Sequence, residues 1–171
     1  FDVVNRGQCS GFREDGSWSF GGEKRLSAAQ AAALSRAAAA HSSKFSRALC
    51  ATGGEPNPEY LRRLAAAARE LNRSGGKILL VLPPLVPGLE QAMTADSGNR
   101  DCLARTKLAL QAWSREVNVT IIDAGRAERF GCKAEEFLDE HHAYPECYRR
   151  VMDFHFRAQR AGRVQPGLLQ P

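Results

Sequence analysis

Long apolar runs, closely paired cysteines and dense blocks of one charge are all scarce in this sequence, and each absence narrows what the chain can do. No run approaches the ~20 consecutive apolar residues of a membrane-crossing helix, and no basic, then apolar, then small-residue pattern marks a signal peptide within it. The five cysteines, Cys9, Cys50, Cys102, Cys132 and Cys147, contain no Cys-x-x-Cys pair, which argues against zinc and dithiol redox motifs. The four histidines lack paired metal-ligand spacing, so no metal is expected. Net charge is a modest +5, and the basic stripe with interleaved aromatics that nucleic-acid binding favours is only hinted at, where Arg149, Arg150, Arg157, Arg160 and Arg163 crowd the last helix and tail. A solvated helix face accounts for those arginines, with an anionic surface or polymer as the alternative.

What is present describes one domain. Phe1 to Val4 reads as a short strand, and the glycine-rich sequence to residue 25 reads as loop. Gly7-Gln8-Cys9-Ser10-Gly11 fits a nucleophile elbow with Cys9 at its centre, but an elbow must turn straight into a helix and nothing from Phe12 to Gly22 is helical. Ala28 to Ala40 predicts a helix with Leu34, Ala37, Ala38, His41 and Phe45 on its apolar face. Asn57-Pro58 predicts the start of another, carrying Leu61, Leu64, Ala65, Ala68 and Leu71 and stopping at Ser74-Gly75-Gly76. Lys77 to Leu82 is a continuous apolar strand covered on both faces and ended by Pro83-Pro84. A long polar loop to Arg100, a helix from Cys102 to Glu116 and a second buried strand from Val117 to Asp123 follow. Strands joined by helices pair most economically in parallel. Glu146 to Arg157 closes the domain as a helix, so residues 1–160 form one unit and 161–171 a tail. Asn72-Arg73-Ser74 and Asn118-Val119-Thr120 match glycosylation triplets, which occur often by chance.

The chemistry concentrates in Phe137 to Tyr148. Asp139 stands three residues before His142, ahead of a proline-led helix start. In a tight loop that spacing brings the carboxylate to the imidazole, fixing its tautomer as a general base serving a hydroxyl nucleophile requires. Three letters match by chance often, and an Asp and a His on a solvated loop are the commoner case. Position adds weight, because working residues of open parallel sheets collect past the carboxyl ends of the strands. Cys132 and Cys147 bracket this loop. A bridge between them would brace it by ~2 to 4 kcal/mol and would imply an oxidising compartment; five reduced thiols are the other reading.

A strand ending in Leu80-Val81-Leu82-Pro83-Pro84, a helix, a strand ending in Ile121-Ile122-Asp123, then Phe137, Asp139 and His142 as Phe-x-Asp-x-x-His resemble the C-terminal half of SGNH (GDSL-type) hydrolases. The bacterial cell-envelope branch related to alginate O-acetyltransferases is the most similar, and a segment like Gly11 to Ser17 occurs there too. The resemblance covers most of residues 50 to 155. It implies a three-layer α/β/α fold with a mainly parallel sheet, flavodoxin-like, and a Ser-His-Asp site that cleaves or transfers acyl groups, such as O-acetyl groups on an envelope carbohydrate or a small ester. His142 would be the base and Asp139 its orienter, with Glu140 and His141 bystanders and His141 the rival base in a twisted loop. No cofactor is implied, and the location would be periplasm or cell envelope, otherwise cytoplasm.

The family's Gly-Asp-Ser nucleophile block and its Gly-x-Asn-Asp block are absent. Gly11 is a weak match for an oxyanion glycine, and Gly54 with Asn57 the nearest to the third block, although Asn57 is better explained as a helix cap. Together with a start at Phe1, this reads as loss of the N-terminal portion carrying the first strand and the serine. A noncatalytic relative that binds an envelope polymer or partner protein, through Arg149 and Arg150, is the alternative. A Cys9 enzyme is a third.

Overall fold

Two short strands, β1 (Ser10–Phe12) and β2 (Trp18–Phe20), pair antiparallel where the sequence reads only as loop. The aromatic residues flanking Asp15-Gly16 have the strand propensity that the glycines obscure. The computed structural model describes residues 10–12, 18–20, 25–50, 54–162 and 167–169, so the strand expected at Phe1 to Val4 lies outside the described residues.

Helix α1 (Ala28–Ala40) opens on a capping box: Ser27 Oγ accepts from the Gln30 N–H, and Gln30 Oε1 from the Ser27 N–H. Ala31 and Ala38 are its buried residues, whereas Ala37 and His41 face solvent rather than the core. His41 ends α1, and α2 (Ser42–Cys50) follows at once. α3 (Pro58–Arg73) starts as expected, Asn57 Oδ1 accepting from the N–H groups of Glu59 and Tyr60. Ala65 and Ala68 are buried, but Leu64 and Leu71 are not.

The apolar runs form the sheet. β3 (Leu79–Leu82) pairs parallel with a later strand, Thr120–Asp123, from Leu79 opposite Thr120 to Leu82 opposite Asp123. The connection is more helical than expected: α4 (Leu89–Met93) precedes α5 (Ser97–Glu116), which begins before Cys102 because Asp96 caps it, accepting from the Asn99 N–H at 3.0 Å. Val117 caps α5 and Asn118 turns at φ 56°, so the strand β4 starts at Thr120 rather than Val117. Asn118 therefore lies in a turn, not a strand, and Asn72 Nδ2 donates to the Val117 carbonyl at 2.8 Å. α6 (Pro145–Arg160) is the last helix. Beyond it the expected tail contributes β5 (Gly167–Leu169), which pairs parallel with β4 and gives the sheet the order β3-β4-β5.

Helices cover both faces of this sheet. Leu79, Val81 and Ile122 pack with Val86, Leu89, Met93, Phe137 and Val151. Leu80, Leu82 and Ile121 point the other way, to Ala65, Ala68, Trp113 and Val117. That alternation is the period of two of a strand, and it explains why the runs are apolar without interruption. Two disulfides staple the fold, Cys50–Cys102 and Cys132–Cys147, with Cα separations of 5.9 and 5.1 Å, and the second lies within the core. The second is the bridge the sequence left open. The first joins cysteines 52 residues apart, a pairing that needs the fold to be visible.

Candidate active site

The loop carrying Asp139 and His142 is held from three directions. Phe137, fully buried, bridges antiparallel to Ala143, and two backbone bonds close the loop: Leu138 N–H to the His142 carbonyl at 2.8 Å and Tyr144 N–H to the Glu136 carbonyl at 2.7 Å. The Cys132–Cys147 bridge braces the chain on either side. The Val86 N–H donates to the Glu140 carbonyl at 2.9 Å, which ties the loop to the segment leaving β3. Leu85 in turn bridges to Arg126, just past β4. The loop thus sits by the carboxyl ends of β3 and β4, where ligand sites of such sheets form.

Within the loop Asp139 is the hub. Its Oδ1 accepts from the backbone N–H groups of His141 and His142, both at 2.9 Å, and its Oδ2 lies 2.6 Å from His142 Nδ1. Burial pushes the Asp139 carboxyl up, but the His141 N–H, the His142 ring, the His142 N–H and the nearby His141 together hold it below the usual carboxylate range. An ionised carboxylate can only accept, so the shared proton belongs to Nδ1 and Nε2 becomes the basic nitrogen of His142. His141 Nδ1 is 3.6 Å from Asp139 Oδ1, beyond a good hydrogen bond. The arrangement selects His142 over His141 as Asp139's partner, with the two rings 4.2 Å apart. Glu140 contributes its carbonyl as an anchor.

One ligand atom from each of Asp139, His141 and His142 falls within 4.8 Å of the others, a grouping that the sequence spacing did not suggest and that could hold a metal ion. In the structure both oxygens of Asp139 take part in hydrogen bonds within the loop. A hydrogen-bonded carboxylate and imidazole stand at the centre of the loop.

Behind it lies a buried charge cluster that sequence reasoning missed. Asp123, the last residue of β4, and Glu90 of α4 are both 7% exposed. Lys107 of α5 reaches both, its Nζ 2.6 Å from Asp123 Oδ2 and 3.1 Å from Glu90 Oε1. Arg126 Nε adds a contact at 3.3 Å to Glu90. A Cβ at Gly125 would overlap Glu90 Oε2, so glycine allows this approach. Two carboxylates and two cations thereby pin the β3 and β4 exits to which the Asp139 loop is tied. Glu90 gave no sequence signal because its segment reads as polar loop, and Lys107 because it is one more charged residue on a helix.

Other candidates scatter. Gly54, at φ 83°, packs on the Cys102 carbonyl, its own carbonyl accepting from Thr106 Oγ1 at 2.6 Å, and Asn57 serves as a cap. Gly11, Ser10 and Ser19 fall in the paired strands β1 and β2, while Cys9 and Ser17 lie outside the described residues. Arg150 pairs with Glu136, whereas Arg149, Arg157 and Arg160 are exposed. No helix among the described residues is long and apolar enough to cross a membrane. Comparison with known proteins finds no family model, no curated protein and no solved structure that matches the chain.

Proposed function

We propose that this chain carries the base and orienter of an acyl-ester hydrolase or O-acyltransferase of the SGNH type. The observation that carries the reading is the 2.6 Å contact between an ionised Asp139 and His142 Nδ1, in a loop fixed beside the strand ends. His142 Nε2 takes the proton of a hydroxyl nucleophile as it attacks the acyl carbonyl, and returns it to the departing alcohol. Asp139 keeps the ring oriented and stabilises the imidazolium formed between those steps. Helical packing on both faces of a parallel sheet supports the three-layer flavodoxin-like architecture of that family. The nucleophile is expected in a Gly-Asp-Ser-like block, and the substrate is an O-acetylated envelope carbohydrate or a small ester. Two disulfides favour an oxidising compartment, consistent with periplasm or cell envelope.

The test is His142→Ala in the full protein, assayed on an acetyl ester with circular dichroism as the control for folding. A loss of about 10²- to 10⁴-fold is expected; retained turnover in a folded variant refutes the role. The binding alternative keeps the exposed Arg149 but loses Arg150 as a free cation, since Glu136 engages it. Polymer binding that weakens in Arg149→Glu, in a protein whose ester turnover is indifferent to His142→Ala, would favour that alternative.

A further inference from the structure

Helix α3 carries two apolar stripes, and the sheet uses only one. Ala65 and Ala68, with Leu61 beside them, pack into the core. The second stripe, Tyr60, Leu64, Ala67 and Leu71, faces solvent: Tyr60 is 66% exposed, Leu64 47% and Leu71 48%, with Ala67 exposed between them. Isolated exposed apolar residues are ordinary. These four are in register, at steps of four, three and four residues, within about 60° of one another around the helix. That step pattern is the seam by which one helix seats on another.

The seam is also symmetric about its own centre. Tyr60 and Leu71 stand equally far from the midpoint, and so do Leu64 and Ala67. Two α3 helices crossing antiparallel about a twofold axis therefore set Tyr60 of one protomer against its partner's Leu71, and Leu64 against its partner's Ala67. At the centre a large side chain meets a small one. Arg63 and Glu70 flank the seam on one side, each immediately before a leucine. In the antiparallel arrangement Arg63 faces its partner's Glu70, twice per dimer, and such flanking charges set partner choice and orientation. Among the described residues of one chain these two hold exposed local pairs, Arg63 with Glu59 and Glu70 with Arg73, which exchange at little cost. Self-complementarity under a twofold rotation is what an interface between identical copies demands.

From these observations we infer that the outer face of α3 is a homodimer seam, occupied by a second copy of the chain in antiparallel orientation. The seam runs only roughly 16 Å along the helix. That is short beside interfaces burying about 1,200 to 2,000 Å², so the dimer is weak and concentration-dependent. The inference is independent of the proposed chemistry.

Sedimentation equilibrium on the full chain, from micromolar to millimolar concentration, is the test. A reversible monomer–dimer equilibrium is expected, abolished in Leu64→Glu/Leu71→Glu with an unchanged circular dichroism spectrum, because both side chains are exposed. Arg63→Glu should weaken the dimer by roughly three- to tenfold by placing like charges together, and Arg63→Glu/Glu70→Arg should restore it. A monomer at every concentration overturns the inference and leaves the face to another occupant. So does a dimer that ignores the leucine substitutions, or a charge swap that fails to rescue.

Discussion

Two charged clusters lie toward the same end of the sheet, and they are built to opposite specifications. Asp139 and His142 are neighbours in sequence, half-exposed, and held by bonds within one loop. Glu90, Lys107, Asp123 and Arg126 come from two helices, a strand end and a loop, and three of the four are largely withdrawn from water. A buried ion costs several kcal/mol in lost hydration unless its partners stay in place, so the inner cluster is suited to bracing. A half-exposed pair pays little to change its protonation state, which is what a proton-transferring group must do. Under the proposed function, fixed geometry would fall to the inner cluster and proton transfer to the outer pair.

The largest test of this division removes the central cation. Lys107→Met leaves Glu90 and Asp123 buried with only Arg126 nearby, and should cost about 3 to 5 kcal/mol in urea unfolding. Gly125→Ala should also destabilise the protein, since its new methyl group would occupy the place of the Glu90 carboxylate. By contrast Asp139→Asn should cost less than about 1 kcal/mol, as expected of a pair this exposed. If Asp139→Asn proved as damaging as Lys107→Met, the division between brace and working pair would fail.

The same contrast governs what was legible in the sequence. Asp139 and His142 were legible because three residues of spacing in a short loop nearly dictate contact. β3 and β4 were legible because a strand covered on both faces must be apolar throughout. Nothing local links Glu90 to Lys107 or Asp123 to Lys107, since helix packing alone makes those pairs. The Cys50–Cys102 bridge was hidden for the same reason. β5 was hidden because Gly167-Leu168-Leu169 is short and flanked by proline and glutamine, so only the edge of β4 makes it a strand. Asp96-Ser97-Gly98-Asn99 reads as a loop by composition, although Asp96 is a helix cap. Leu64 and Leu71 fit the helical period that marks a core face, yet the core takes the adjacent stripe.

A middle-sized effect separates bracing of the loop from its internal bonding. Cys132→Ser/Cys147→Ser frees the flanks and should cost about 3 kcal/mol for a loop of this length. The bonds from Asp139 to the N–H groups of His141 and His142 span only two and three residues and do not need the bridge. Their amide hydrogens should therefore exchange only as fast as the lowered global stability dictates. Exchange at His141 and His142 that outpaces the rest of the protein would show that the bridge, rather than Asp139, shapes the loop.

The smallest effect is a pH dependence that belongs to Asp139 alone. Its folded carboxyl titrates below the unfolded value of about 3.9, so within that window the unfolded chain binds more protons. The stabilisation is complete above the unfolded value and disappears as pH falls through the folded one. With the Asp139 side chain 35% exposed, solvent screening keeps it below about 1 kcal/mol. Subtracting the acid limb of Asp139→Asn from that of the unaltered protein isolates the contribution. On the acid side the difference should shrink as pH falls below the unfolded carboxyl value. A difference that stayed unchanged through the whole acid limb would mean that folding does not hold the carboxyl low, and Asp139 could no longer be the loop's hub.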